Sequence, residues 1–278
     1  MDVRERRTDD AGRPRGGAKQ RMNKRAAQPG HGPRAARSYW ETRSCGSRHS
    51  TALPGTRAFF EEADEFRYSV EPVDSFAEFG VWLDKRVLEV GSGMGGDLSR
   101  FLRAGARAIG IDLSPAAVGA TLDRLKLDRL PRSLARADAL RLPFKDRSFD
   151  LVWSWGVLHH TGDIERAISE VHRVLDSGGE ARLMLYHRPS WVALAAWGRW
   201  ALLRAKPFQG LRRVVADHVE SPGTLALTSA EVHRLLRNFQ EVRIEIVGSY
   251  WDRKFVPMIG RLGGSRLGWF ALIRARKA

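Results

Sequence analysis

One cysteine, Cys45, is all that this chain of 278 residues holds. No disulfide can close within it and no multi-cysteine zinc site can form. A disulfide-stapled secreted scaffold is therefore excluded, and a reducing cytoplasm is the expected setting. The sequence also lacks any uncharged apolar run of the roughly 18–20 residues that span a bilayer. Its longest candidate, 191–203, is too short and carries Arg199. The N-terminus has no apolar core of the signal-peptide kind. Acids are scarce relative to bases: 32 Asp and Glu face 47 Lys and Arg, a net charge of +15. Hydrophobic residues nevertheless make up 43%, so a wholly disordered chain is excluded as well.

The basic excess is uneven. Residues 1–37 hold nine Arg and two Lys against four acids, with almost no large apolar side chain. Such a segment cannot bury enough surface to offset its ordering entropy, and a disordered basic tail is expected. The remaining 241 residues carry only +8. A nucleic-acid or anionic-membrane arm and a plain solvated extension are both open readings of the tail.

A helical cap is expected over 38–84. Phe59, Phe60 and Phe66 anchor a helix over 57–69, and a second short helix covers 74–82. An alternating program then begins at residue 85. Strands are expected at 86–90, 108–111, 133–137, 150–154 and 181–186. Between them lie helices over 95–103, after Ser114-Pro115, and after Asp163 with Gly178-Gly179 as its end. Strand and helix alternating in this way imply a doubly wound, mostly parallel sheet covered on both faces. Thr228-Ser-Ala-Glu231 is a capping box. Strands at 241–247 and 269–275 then close the chain and suggest an antiparallel C-terminal edge. Residues 188–227 interrupt the program as a helical insertion whose place suits a substrate lid.

The chemistry concentrates in Val87-Leu-Glu-Val-Gly-Ser-Gly-Met-Gly-Gly-Asp97. Glycines after a first strand let the backbone turn sharply and approach a ligand. Asp112 ends the second strand, where a carboxylate can accept both ribose hydroxyls of an adenosine. Gly91, Gly93 and Gly96 fit G-x-G-x-x-G, so a nicotinamide dinucleotide stays open at this point. Glu89, two residues before Gly91, favours a cationic amino-acid group over a pyrophosphate; Asp97 can assist it or simply complement the dipole of the helix it opens.

Further motifs follow in order: Glu89-Val-Gly-Ser-Gly-Met-Gly95, Gly110-Ile-Asp112-Leu-Ser-Pro115, Ala137-Asp138-Ala139, Leu142-Pro-Phe, Ser148-Phe-Asp150 and Trp155-Gly-Val-Leu-His-His160. Over 57–187 this series resembles the class I S-adenosylmethionine-dependent methyltransferases, and among them the small-molecule branch with the ubiquinone/menaquinone-biosynthesis enzymes. The resemblance implies a Rossmann-like α/β fold with a seven-stranded sheet, and S-adenosylmethionine as cofactor. It places Glu89, Gly91, Ser92, Gly93 and Gly95 along the methionine half and Asp112 on the ribose. Leu113 falls beside the adenine, Asp138 on its amino group with Ala139 nearby, and Trp155 and Gly156 between cofactor and acceptor.

Methyl transfer from a sulfonium is an in-line displacement that needs alignment more than a nucleophile of the enzyme's own. A base is required only when the acceptor must lose a proton. His159, His160 and His187 are the candidates, with Tyr186 as an orienter, because all follow the fourth or fifth strand at the ligand-binding edge. Each also has a plain packing role open to it. Two adjacent histidines make no convergent ligand set, and no metal is expected.

The expected reading is a methyltransferase acting on a small, hydrophobic or aromatic acceptor. Three rivals stand beside it: an NAD-dependent oxidoreductase, a nucleic-acid methyltransferase and a non-catalytic cofactor-binding relative. Trp153-Ser-Trp-Gly156 is not the Pro-Pro-aromatic motif of enzymes that methylate base amino groups, which argues against nucleic acid. The aromatic helix after residue 190 suits an acceptor pocket, peripheral membrane contact beside Arg188, Arg199, Arg204 and Lys206, or equally a helix simply packed on the core.

Overall fold

The computed structural model describes residues 38–41, 49–255 and 265–278. The expected tail 1–37 and Cys45 lie outside them. Strands are β1 (Arg86–Val90), β2 (Arg107–Asp112), β3 (Leu134–Arg136), β4 (Phe149–Trp155), β5 (Leu175–His187), β6 (Ala226–Leu227), β7 (Gln240–Val247) and β8 (Phe270–Arg276). Helices are α1 (Arg57–Val70), α2 (Val73–Ala77), α3 (Gly96–Arg103), α4 (Pro115–Leu127), α5 (Ile164–Val174), α6 (Trp191–Trp200), α7 (Leu211–His218), α8 (Ser229–Leu235) and α9 (Tyr250–Phe255).

The sheet order is β3-β2-β1-β4-β5-β8-β7, with β6 added beside β5. Pairing is parallel from β3 through β5. β8 alone is reversed, antiparallel to both β5 and β7. The two-residue β6 extends the expected seven strands to eight. From β1 the chain winds outward to β3, then returns to β4 on the other side. Ligands of open α/β sheets bind beyond the strand ends at such a reversal.

Local chemistry explains the elements. Side-chain oxygens of Ser114, Asp163 and Ser190 accept from backbone amides of α4, α5 and α6, satisfying donors that a helix start leaves orphaned. Thr228 and Glu231 form a reciprocal capping box on α8. Alternate residues of β1 and β4 enter opposite cores. Leu88, Val90 and Val152 join α5 and α8 on one face. Val87, Leu151, Trp153 and Trp155 join α2 and α3 on the other.

Two expectations shift. The helix over 74–82 breaks at Glu78, which adopts a left-handed backbone (φ 51°) between α2 and a 3-10 turn over Phe79–Trp82. Gly178-Gly179 does not terminate α5. That helix ends at Val174, and the glycines sit inside β5, where its pairing with β4 slips between Phe149 and Leu151. A glycine pair permits a bulge as readily as a helix stop.

Candidate functional site

The turn after β1 is tied to β2 by its own backbone. The amides of Gly91 and Ser92 both donate to the Ile111 carbonyl, at 2.8 and 3.0 Å. Gly91, Gly93 and Gly95 all have positive φ, and at Gly91 an added Cβ would lie 2.2 Å from the Val157 side chain. At Gly93 it would meet nothing within 4 Å, so that side of the turn is open. Asp112 faces it. One carboxylate oxygen accepts from the Gly93 amide at 3.0 Å and the other from the Ser114 amide at 2.9 Å. Burial pushes this carboxyl up, and those amides pull part of the way back. Ser92 is buried with its hydroxyl 3.2 Å from that of Thr121, which also donates to the Gly93 carbonyl.

Glu89 lies beneath the turn, buried, and its Oε2 has no hydrogen-bond partner. Burial pushes its carboxyl well up, and the neighbouring Asp97 charge adds to this. Asp97 is engaged elsewhere. Its carboxylate takes Arg67 Nη2 at 2.6 Å, the Tyr68 hydroxyl at 2.6 Å and Trp153 Nε1 at 2.9 Å. Three donors from α1 and β4 thus consume it, and it bolts α1 against the sheet.

Leu113 is partly buried, and its carbonyl accepts from Arg136 Nε at 3.1 Å. Asp138 closes its own turn by accepting from the Leu140 amide at 2.9 Å, with Ala139 packed against the core between them. The Trp155 ring points into the second core, 5.7 Å from Trp153 and 5.8 Å from Phe270, and its Nε1 donates to Glu71 Oε2. Gly156 follows with φ 75°. These residues line the carboxyl ends of β2, β3 and β4, on the same edge as the glycine turn.

The histidines differ from one another. His187 is buried with Nδ1 3.1 Å from the Gly268 carbonyl, a contact that ties β5 to the chain entering β8. His159 is fully buried with neither ring nitrogen hydrogen-bonded, its ring 4.0 Å from Tyr186 and 4.2 Å from His160. Burial holds its pKa well below the usual value, with His160 adding a smaller push. His160 Nδ1 lies 2.8 Å from Ser221 Oγ and 3.0 Å from Thr224 Oγ1, while Nε2 stands 3.3 Å from Glu220 Oε2. The same Glu220 oxygen accepts from the Tyr186 hydroxyl at 2.5 Å.

Glu71, Arg67 and Tyr68 were invisible to sequence reasoning, because each reaches this edge from a distant segment; Glu220 lies in the motif His218-Val-Glu-Ser-Pro-Gly223, whose spacing alone gives it no role. The single local signal is conformational: Glu220 adopts φ 60°, a left-handed backbone that non-glycine residues seldom hold without compensation. A cavity of about 500 Å³ lies away from this edge, against α1, α3 and α4. Its arginines Arg57, Arg100, Arg103 and Arg124 are each already paired with an aspartate. Among the described residues no cluster of three or more His, Cys, Asp or Glu is placed to hold a metal ion. No described helix is long and apolar enough to cross a membrane.

Residues 88–183 match the family model described as a methyltransferase domain. The chain is 39% identical over 109 residues to a chloroplastic tocopherol O-methyltransferase of Arabidopsis thaliana, covering 37% of this chain and 31% of that one. It is 32% identical over 129 residues to a demethylmenaquinone methyltransferase of Thermus thermophilus, covering 45% and 58%. The matched segment thus spans less than two thirds of either relative. Among solved structures, a Haloferax volcanii putative methyltransferase in complex with the Trm112 activator superposes with a TM-score of 0.57 at 18% identity, covering 80% of this chain and 95% of that one. At that identity the likeness is one of fold.

Proposed function

From a chain whose residues 88–183 carry a methyltransferase domain, we propose a protein that moves a methyl group from S-adenosylmethionine to a small hydrophobic or aromatic acceptor. The observation that carries this reading is the pairing of two acids across one glycine turn. Glu89 presents an unpartnered buried oxygen, and Asp112 stands beside the open face of Gly93. Buried polar atoms are almost always satisfied, so an orphaned carboxylate oxygen calls for a donor from outside the chain. An ammonium group supplies one and neutralises the charge; a pyrophosphate would add a like charge. The residues present fit the amino-acid half of S-adenosylmethionine at Glu89 and its ribose at Asp112, with Leu113 and Asp138 on the adenine side.

The bound sulfonium supplies an activated methyl group with a neutral thioether leaving group. The remaining work falls to the protein and is largely positional. Ser92, Gly93 and Gly95 fix the turn. Gly156 borders the site, whereas the Trp155 ring expected beside it is committed to the second core. Segment 188–227 covers the strand ends as a lid, held by the β5–β6 pairing and by the Leu225 amide on the His159 carbonyl. The aromatic surroundings of Tyr186, with Trp269 stacked on its ring at 4.4 Å, suit a flat acceptor. That relatives are named for tocopherol and demethylmenaquinone supports the same class. For an acceptor with an ionisable hydroxyl, Glu220 receives the proton directly or through the Tyr186 hydroxyl and passes it to solvent from its partly exposed side chain, with His160 Nε2 beside it at 3.3 Å. His159, held neutral, packs beside this relay.

Calorimetry with S-adenosylhomocysteine tests the reading. The chain should bind it, and Asp112→Ala should weaken binding at least ten-fold, since the substitution removes charged hydrogen bonds worth about 1.5–3 kcal/mol each. Tighter binding of NAD than of S-adenosylhomocysteine would overturn it.

A further inference from the structure

The insertion between β5 and β7 ends in a tip that the fold leaves uncovered. Residues 202–208 are exposed one after another. Among them Leu202, Leu203 and Phe208 are 55%, 81% and 100% exposed. No acid occurs between Glu180 and Asp217, whereas Arg199, Arg204, Lys206, Arg212 and Arg213, all exposed, flank these three residues in sequence. Arg204 lies 4.3 Å over the Trp200 ring, and Arg213 reaches Asp217 at 3.5 Å from a largely exposed position. Elsewhere on this basic chain, arginines of the body are answered by acids, as at Arg86, Arg173 and Arg182.

We propose that this tip docks on an anionic lipid bilayer. Leu202, Leu203 and Phe208 enter the boundary between headgroups and acyl chains, and the surrounding cations rest on lipid phosphates. Charge selects this occupant. A second copy of the chain would bring five cations against the same five across a two-fold contact, which repels. A nucleic acid would answer the cations but has no use for projecting leucines. A bilayer answers both at once. The tip belongs to the segment whose far end pairs with β5 beside Tyr186, so docking sets the candidate acceptor edge close to the lipid. The proposal goes beyond the methyl-transfer reading and survives its failure, because it is read out without acceptor or cofactor.

The test is co-sedimentation of the full chain with vesicles at low salt. One set is pure phosphatidylcholine, and the other carries roughly a third phosphatidylglycerol. The anionic vesicles should capture the protein, and the neutral ones should capture it far less. Leu203→Asp combined with Phe208→Asp should lower the partition coefficient at least ten-fold. Lys206→Gln combined with Arg212→Gln should lower it roughly five-fold per charge removed. Both double variants should melt at the wild-type temperature, since every replaced side chain is exposed. No capture by anionic vesicles overturns the proposal. So does capture that both variants retain in full, which would place the contact elsewhere on this basic chain. So too does a dimer in light scattering that Phe208→Asp dissolves, which would assign the tip to self-association.

Discussion

A carboxylate gives up its hydration when it is buried, and the loss is recovered only if donors replace the water. Glu89 receives the Leu98 amide, but its Oε2 receives nothing. Its pKa is raised, chiefly by burial, so the folded protein holds this proton more tightly than the unfolded chain does. The associated stability is present below the ordinary carboxylate range and is lost as pH rises through the raised value. Above the ordinary carboxylate range the buried carboxyl therefore burdens the fold. Glu89→Gln keeps the shape and removes the burden, so its Tm should rise by about 2–4 °C. Binding of S-adenosylhomocysteine should weaken at least ten-fold in the same variant, because the ammonium loses its counter-charge. Thermal melting and calorimetry on one preparation check both signs. A lower Tm with unchanged affinity would mean that the carboxylate is structural. Gly91 and Gly93 divide in a similar manner: Val157 fills the space beside the first, and the second faces the open side of the turn.

At the scale of elements, α1 and the sheet are joined by Asp97. The exposed pair of Arg100 and Asp74 sits in water and contributes at most about 1 kcal/mol. Asp97 is buried, so the effect of its loss is decided by the donors left behind: Arg67, Tyr68 and Trp153. Asp97→Ala should cost about 3 kcal/mol, and Tyr68→Phe, which leaves the carboxylate its other donors, about 1 kcal/mol. Urea denaturation of the two variants checks the ratio; equal losses would mean that α1 is held by its phenylalanines alone. Arg182 secures α2 in the same manner, donating from Nη1 to the Phe76 and Ala77 carbonyls at 2.7 and 2.8 Å.

Over the whole molecule, four histidines share one bias. His159, His172, His187 and His218 are all held below the usual pKa, burial being the largest cause in each. The unfolded chain then binds more protons than the folded one, and stability falls as pH drops below about 6.5 through the lowered values. Buried Glu89 and half-buried Asp112 titrate with the opposite sign, so the comparison that isolates the histidine is between wild type and His159→Phe. The variant should lose about 2–4 °C less per pH unit between pH 6.5 and 5.5. Parallel losses in the two proteins would assign the acid sensitivity elsewhere.

Much of this architecture was legible because it is written locally. Ser114, Asp163 and Thr228 announce helix starts by the amides they can satisfy, and the β1 turn by its glycines. What escaped depends on long-range meetings. Glu71 on Trp155, Arg67 on Asp97 and Glu220 on Tyr186 join residues 84, 30 and 34 positions apart, and no spacing rule relates them. The antiparallel C-terminal pair was legible from two late strands in quick succession, but the place of β8 between β5 and β7 was not, since a strand's neighbours are chosen by the sheet rather than by the strand.

The insertion leaves β5 and returns to it at one point. The Arg188 amide donates to the Leu227 carbonyl at 2.8 Å, and Tyr186 and His187 face Ala226 and Leu227. Its two ends are thus stitched together, and residues 188–227 form a cassette rooted in the second core through Val192, Ala193 and Val215. A lineage can lengthen, trim or swap that cassette without moving a single rung of the main ladder. Variation can accumulate there while the half that carries the glycine turn stands still.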